Sequence, residues 1–304
     1  MEHCKCCGSK EIKEIGQFND YLHYLCTRCS FEFFINQNKE SSNNLYENDP
    51  DYDSDLDVSK NFNDLIQWNH NKAIKFLNKK FKNRSSIKLL DIGCFNGFFV
   101  KKMMNKGYDA YGIDLNIKAL NYGIQRYELN KRIFNKKIEE LITENEKYNV
   151  ITMFEVLEHL EDPRGFLEDV KKILEEKGIL IISTPNNNMI WRPLLDNPPH
   201  HLSRLNPSNL YNCLKSLGYK KTGLYEQMSI FDLVRHYIGS LLRDKNKKSS
   251  RGGEFKYKGI VNFLRIVLNR SRRNINFCLI PLNKLLHIFG LRYISQVIIV
   301  EKAD

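Results

Sequence analysis

The stretch LLDIGCFNGFFV, residues 89–100, decides the fold of this chain. Its apolar start predicts a buried strand, and a turn from Gly93 to Gly97 leads into a helix. A dinucleotide-binding loop of the form G-x-G-x-x-G needs a further glycine within this turn, but bulkier residues stand between the two glycines. Asp91, two residues before the first glycine, would repel a phosphate. The turn therefore favours a nucleotide-like ligand that places no phosphate there.

Strands and helices alternate from residue 86 onward, and this order predicts a doubly wound, Rossmann-like α/β sheet of seven strands. The predicted strands are residues 86–93, 109–115, 132–138, 148–154, 179–185, 220–227 and 295–302. The predicted helices are one over 60–82, one after Gly97, and those over 116–129, from Asp162-Pro163 to just before Gly178, and 207–219. The domain prediction is a zinc ribbon (1–40), a linker and helix (41–85), the core (86–228), a basic helical insertion (229–295) and the final core strand (296–304).

A second acid supports a nucleoside ligand. Asp114 lies 21 residues after Gly93, at the predicted carboxyl end of the second strand. A carboxylate there can accept hydrogen bonds from both ribose hydroxyls, and open α/β sheets bind ligands at this edge. S-adenosylmethionine (SAM) satisfies both acids, because its ammonium group suits Asp91 and it has no phosphate.

Four motifs occur in the order LLDIGCFNGFF, YGIDLN, NVITMFEVLEHLEDP and GILIISTPN. Together they resemble the class I SAM-dependent methyltransferases, in the branch that modifies quinones and sugars, over residues 86 to about 227 and the closing strand. The resemblance implies a SAM site. Its implied residues are Asp91, Gly93, Cys94 and Gly97 at the methionine end, Asp114 and Leu115 at the ribose, Lys137 and Ile138 at the adenine, and Phe154 and Glu155 at the sulfonium. The third strand lacks the acid often found there in the family.

Two CxxC pairs near the start, Cys4/Cys7 and Cys26/Cys29, predict a zinc ribbon. Four thiolates form a closed tetrahedral site, and the metal replaces a core that 40 residues cannot build. We therefore expect a structural zinc ion. Thiols arranged for metal binding also favour a reducing compartment. With no signal-like start and no apolar run of about 20 residues, the sequence predicts a cytoplasmic protein, with peripheral contact at the inner membrane face as a further possibility.

The acceptor chemistry has two candidate sites. His201 lies in the loop after the fifth strand, where the resembling family often has a histidine that takes a proton from the acceptor; its alternative role is a hydrogen bond within the loop. The second site is the run Glu155-x-x-Glu158-His159. Such a run resembles a divalent-metal site in quinone-modifying O-methyltransferases, but it also occurs in metal-free relatives, where Glu158 and His159 brace the turn. The third alternative is that His159 or Glu155 is a catalytic residue.

The chain has a net charge of +11, and residues 229–295 account for it with 14 Lys and Arg against 3 Asp and Glu. Three interpretations stay open: a lid with a solvated charged rim, a surface for a membrane or a lipid-linked or nucleotide-linked acceptor, and an RNA-binding surface. Few aromatic residues accompany the basic ones, which makes RNA the weakest of the three.

The sequence thus predicts a SAM-dependent methyltransferase. The expected acceptor is an oxygen of a sugar or glycan precursor, or another small metabolite or lipid. The alternatives are an RNA methyltransferase and a SAM-binding scaffold without catalysis.

Overall fold

The computed structural model describes residues 3–38, 67–189, 192, 196–227, 230, 278–288 and 294–303, and every structural statement below concerns these residues. They form two β-sheets, one of four strands and one of seven. The first contains the cysteine-rich start of the chain, and the second carries the glycine turn.

The small sheet is built mainly from the N-terminal residues. Its strands β1 (Ile12–Phe18), β2 (Tyr21–Cys26) and β3 (Glu32–Asn36) pair in antiparallel order. A fourth strand, β9 (Ser203–Arg204), pairs with β3 but comes from a loop about 170 residues later. The N-terminal unit is therefore joined to the body of the protein by strand pairing.

The large sheet alternates with helices, as the sequence predicts. Its elements in chain order are α1 (Trp68–Lys80), β4 (Lys88–Ile92), α2 (Phe98–Met104), β5 (Asp109–Ile113), α3 (Ile117–Tyr127), β6 (Ile133–Phe134), α4 (Ile138–Thr143), β7 (Tyr148–Phe154), a 3-10 turn (Leu157–His159), α5 (Pro163–Ile173), β8 (Leu174–Pro185), α6 (Pro207–Ser216), β10 (Tyr219–Gln227), α7 (Ile280–Ile288) and β11 (Ser295–Lys302).

The strand order is β10-β11-β8-β7-β4-β5-β6, and β11 runs antiparallel to both of its neighbours. The chain proceeds from β4 outward to β6, then returns to the other side of β4 through β7 and β8. Ligands bind at such a reversal, outside the carboxyl ends of the strands. The predicted doubly wound sheet of seven strands is confirmed.

The central strands are buried on both faces, which explains their apolar runs. One face contains Leu89, Val150 and Ile181, and the other contains Leu90, Ile151 and Ile182. All six side chains are fully buried. This two-sided core fixes the register of β4, β7 and β8, and so fixes the positions of the polar residues where these strands end.

Several predicted boundaries differ from the structure. The helix α5 ends at Ile173 instead of just before Gly178, because Leu174 already pairs with Tyr148 as part of a long strand. The third strand has two residues, Ile133 and Phe134. The helix predicted over 60–82 is seen from Trp68 onward, and its residues before 67 lie outside the described part.

The prediction for the basic insertion falls mostly on residues outside the described part. Within 229–295 the structure describes Ile230, 278–288, Ile294 and Ser295, which include one helix, α7. No helix among the described residues combines the length and the apolar character needed to cross a bilayer.

Candidate functional site

The glycine turn between β4 and α2 adopts left-handed backbone at three alternating positions. Gly93 has φ 73° and Gly97 has φ 71°, and between them Phe95 has φ 50° in spite of its side chain. A Cβ on Gly93 would lie 2.5 Å from Cγ2 of Val156, and one on Gly97 would lie 2.5 Å from Cδ1 of Leu129. Both glycines are therefore required by conformation and by close packing.

Asp114 holds the turn in this conformation. Its Oδ2 accepts a hydrogen bond from the backbone N–H of Phe95 at 2.7 Å, and its Oδ1 accepts one from that of Asn116 at 2.8 Å. The amide of Asn135 donates to the carbonyl oxygens of Asp114 and Leu115 at 3.0 and 3.1 Å. The ends of β4, β5 and β6 are thus tied together. Each carboxylate oxygen keeps a second lone pair that can accept from a ribose hydroxyl.

Asp91 lies at the centre of the sheet and is buried. The hydroxyl of Thr152 on β7 donates a 2.6 Å hydrogen bond to its Oδ1. Burial raises the pKa of Asp91 to about 7. A buried carboxyl without a cationic partner among the described residues is a suitable receptor for an ammonium group.

Three further residues implied for the cofactor differ in the exposure of their side chains. The Cys94 side chain is buried in the core, where a Cβ on Gly112 would lie 2.7 Å from its Sγ. Ile138 is likewise buried in the core, and Lys137 is exposed. Cys94 and Ile138 both follow strands that end at this edge of the sheet. Their backbone groups, and not their side chains, are therefore available to a ligand there.

An aromatic corner closes the other side of the turn. Phe154, at the end of β7, lies 4.8 Å from Phe99 and 4.6 Å from His70 between ring centroids. His70 lies on α1, its Nδ1 is buried with no hydrogen-bond partner among the described residues, and burial lowers its pKa to about 4. His70 was not among the residues predicted from the sequence, although the helix that carries it was.

Glu155 begins the turn of residues 155–159, which follows β7, with a left-handed backbone, φ 56°. Its Oε1 accepts a 2.7 Å hydrogen bond from the hydroxyl of Ser183, which in turn accepts one of 2.9 Å from the Asn69 amide. Non-glycine residues in this conformation cost about 1–3 kcal/mol and gather at functional sites. The chain Asn69–Ser183–Glu155 holds this strained turn against α1 and β8.

The predicted metal set of Glu155, Glu158 and His159 stays a prediction, and the structure adds a candidate member to it. The structure brings Glu158 and His159 together with His201, and the ligand atoms of these three lie within 4.8 Å of one another. Glu155 lies beside this group, and its Oε1 accepts the hydrogen bond from Ser183. Neither carboxylate oxygen of Glu158 has a hydrogen-bond partner among the described residues. Burial and the neighbouring Glu155 raise the pKa of Glu158.

His201 is oriented by a carboxylate that the sequence analysis did not single out. Its Nδ1 lies 2.7 Å from Oδ1 of Asp196, a buried residue five positions earlier whose other oxygen accepts from Arg192. Although burial would raise the pKa of Asp196, the hydrogen bond with His201 keeps it lowered. His159 is held similarly, with Nδ1 2.6 Å from the carbonyl oxygen of His200. In each ring the lone pair then resides on Nε2.

The four ribbon cysteines converge as predicted. Sγ of Cys4 lies 3.6 Å from Sγ of Cys29, and Sγ of Cys7 lies 3.7 Å from Sγ of Cys26. A zinc ion bound tetrahedrally at about 2.3 Å by sulfur separates its ligands by about 3.8 Å. The backbone N–H groups of Cys6 and Cys7 point at Sγ of Cys4, both at 3.4 Å. This donor set fits zinc.

Comparisons with known proteins bear on the same region. A family model described as a methyltransferase domain matches residues 65–223. A ubiquinone biosynthesis O-methyltransferase of Glaesserella parasuis is 31% identical over 147 residues, which cover 46% of this chain and 62% of that protein. One from Pelagibacter ubique is 34% identical over 119 residues, covering 36% and 50%. This chain thus spans little more than half the length of these relatives.

Among solved structures, phosphoethanolamine N-methyltransferase 2 of Haemonchus contortus, in complex with phosphomonomethylethanolamine and S-adenosylhomocysteine, superposes with a TM-score of 0.55. The two share 14% sequence identity, and the match covers 90% of this chain and 63% of that one. At this identity the likeness supports the fold.

Proposed function

This chain belongs to the methyltransferase domain family, and we propose that it transfers a methyl group from SAM to an oxygen of a small molecule. One observation carries the proposal. Two carboxyl groups, Asp91 and Asp114, flank a glycine turn that has no third glycine, at the carboxyl ends of adjacent strands. Such a cradle disfavours a pyrophosphate and suits a nucleoside that bears an ammonium group.

The residues around the turn divide the cofactor between them. Asp91 receives the ammonium of the methionine end, and Gly93 and Gly97 allow that end to approach the backbone. Asp114 accepts the ribose hydroxyls, while Leu115 and the start of α4 border the base. Phe154 ends the strand next to β4 and would face the sulfonium end of the cofactor.

When bound, SAM supplies a methyl group on a positively charged sulfur. The acceptor oxygen forms a bond to that methyl carbon while the carbon–sulfur bond breaks, and the bonding pair stays on sulfur. The hydroxyl proton must leave as this occurs. His201 can take it on Nε2, since Asp196 fixes the Nδ1 hydrogen and stabilises the resulting imidazolium.

A divalent cation at Glu158, His159 and His201 is a second way to activate the acceptor. The orphaned Glu158 carboxylate favours it, and both histidines use Nδ1 for an oxygen partner, as metal-ligating histidines do. Titration of the protein with Mn²⁺, followed by electron paramagnetic resonance, tests this arrangement. Binding that disappears in Glu158→Gln supports the cation, and no binding to the wild-type protein leaves His201 as the base.

The two relatives are O-methyltransferases of ubiquinone biosynthesis by name, which supports an oxygen on a small molecule as the acceptor. A sugar or glycan precursor, the acceptor class predicted from the sequence, belongs to the same proposal. We further propose that the ribbon holds one structural zinc ion. Contact of residues 229–295 with a membrane stays a prediction, because most of them lie outside the described part.

Mass spectrometry tests the proposed activity. The protein is incubated with SAM and two acceptor panels, catechol-type phenols and sugar nucleotides, and the products are searched for a gain of 14 daltons. A gain that disappears in Asp114→Asn is expected. Methylation of RNA alone would overturn the small-molecule acceptor, and cofactor binding without turnover on any panel or on a cell extract would favour a scaffold.

A further inference from the structure

We propose that the N-terminal sheet positions the acceptor loop, residues 196–205, and that Glu32 is the positioning residue. The name acceptor loop rests on the proposed function, since it contains His201 and Asp196. Glu32 begins β3, in the ribbon, yet it is bonded to two residues more than 150 positions later.

The Glu32 carboxylate collects donors from three elements. Its Oε1 accepts from the Asn187 amide, just after β8, at 2.9 Å. Its Oε2 accepts from the Arg204 guanidinium on β9 at 3.1 Å and lies 3.0 Å from Nε2 of His23 on β2. One side chain thus joins the ribbon to the segment after β8 and to β9, at the end of the acceptor loop.

These bonds keep the group charged in a half-buried place. Although burial would raise the pKa of Glu32, hydrogen bonds from His23, Asn187 and Arg204 lower it to about 2. The Arg204 guanidinium also lies 4.8 Å from the Phe34 ring and donates to Oδ1 of Asn197 at 2.8 Å. Arg204 therefore extends the link from Glu32 into the loop beside Asp196.

A main-chain path runs parallel to this side-chain link. The N–H of Phe34 on β3 donates to the carbonyl oxygen of Leu202 at 2.8 Å. The N–H of Leu202 donates to the carbonyl oxygen of Glu158, also at 2.8 Å. Leu202 follows His201 directly and is buried against Tyr21 and Phe34. The main chain of Leu202 thus connects the ribbon and the acceptor loop to the turn of residues 155–159.

The loop depends on these contacts because β9 has only two residues, too few to hold its own register. Its partner strand β3 and the charged bond to Glu32 supply the missing constraint. Asp91, Asp114 and the glycine turn make none of these bonds. A change at Glu32 should therefore loosen the acceptor side and leave cofactor binding intact.

Hydrogen exchange of the full chain tests the inference without an acceptor. In Glu32→Gln, the amides of residues 200–205 should exchange about 10-fold faster or more, since a hydrogen bond to a charged group is lost. The ring signals of ¹³C-labelled histidine should shift for His201. Affinity for S-adenosylhomocysteine, measured by calorimetry, should stay within about 2-fold. Glu14→Gln, an exposed acid on β1, is the matched control and should change nothing.

A second variant separates positioning from ribbon stability. In the double variant Glu32→Gln, Asn187→Asp, the amide and the carboxylate exchange places. The amide nitrogen of the glutamine at position 32 donates to the carboxylate at position 187. The amide oxygen at position 32 still accepts from Arg204. Protection of residues 200–205 should recover to within about 3-fold of wild type. Recovery would show that the bond between positions 32 and 187, and not the identity of residue 32, protects the loop.

Unchanged exchange in Glu32→Gln would overturn the inference, and so would faster exchange that the Asn187→Asp change does not correct. Failure of the proposed function gives a different result. In that case wild-type protein does not bind S-adenosylhomocysteine, whereas the exchange data on residues 200–205 still report on the link between ribbon and loop.

Discussion

The affinity for cofactor should depend on pH through Asp91. In the free protein burial raises the pKa of this carboxyl to about 7, against an ordinary value of 3.8. An ammonium group stabilises the ionised form, so binding lowers the pKa and releases a proton below pH 7. Affinity therefore rises with pH up to about 7, and at pH 5 it should be about 100-fold weaker than on the plateau. At higher pH the ligand's own ammonium loses its proton, and affinity should fall again.

The assay is calorimetric titration with S-adenosylhomocysteine, which carries the same ammonium, between pH 5 and 9. In the wild-type protein the hydrogen bond from the Thr152 hydroxyl lowers the pKa of Asp91. Thr152→Val removes this hydroxyl. The acid midpoint should then move upward by about one unit. Thr143→Val, at an exposed position on α4, should leave it in place. Affinity that is constant between pH 5 and 7, or a midpoint unaffected by Thr152→Val, would refute the pairing of Asp91 with the ammonium.

Three further predictions concern the turn, the acceptor loop and the ribbon. Gly97→Ala should lower the free energy of unfolding by about 2–4 kcal/mol in urea titration, because the new Cβ would sit on left-handed backbone and 2.5 Å from Leu129. The control is Gly16→Ala, whose Cβ would have nothing within 4 Å; it should change the free energy of unfolding by less than about 1 kcal/mol. Asp196→Asn should slow methyl transfer by about 10²- to 10⁴-fold with unchanged affinity for S-adenosylhomocysteine, and equal turnover would contradict its role on His201. Metal analysis should find one zinc ion per chain in wild type and less in Cys26→Ser, which should also melt at a lower temperature; full zinc content in that variant would argue against the ribbon site.

The sequence predicted the features that local chemistry controls. The apolar strands, the glycine turn and the spacing of Asp114 could be predicted from the sequence, because each depends on burial or backbone geometry within a short segment. The two CxxC pairs were readable for the same reason, since a metal site needs few residues at fixed spacing. These features form the proposed cofactor side of the site.

The acceptor side depends on contacts between segments that are far apart in the chain. No local pattern shows that Glu155 turns to Ser183 while His201 joins Glu158, because this follows from how β7 and β8 end side by side. In the sequence Asp196 is one acidic residue in a polar loop, and nothing local predicts its hydrogen bond with His201. The link from Glu32 to Arg204 spans 172 positions and needs the fold to be known.

The central claim is that the turn between β4 and α2 holds SAM, and a crystal structure of the protein grown with S-adenosylhomocysteine tests it most directly. We expect electron density at the carboxyl ends of β4 and β5, with both ribose hydroxyls on Asp114 and the ammonium facing Asp91. Density elsewhere on the protein, or a cradle left empty at saturating ligand, would contradict it.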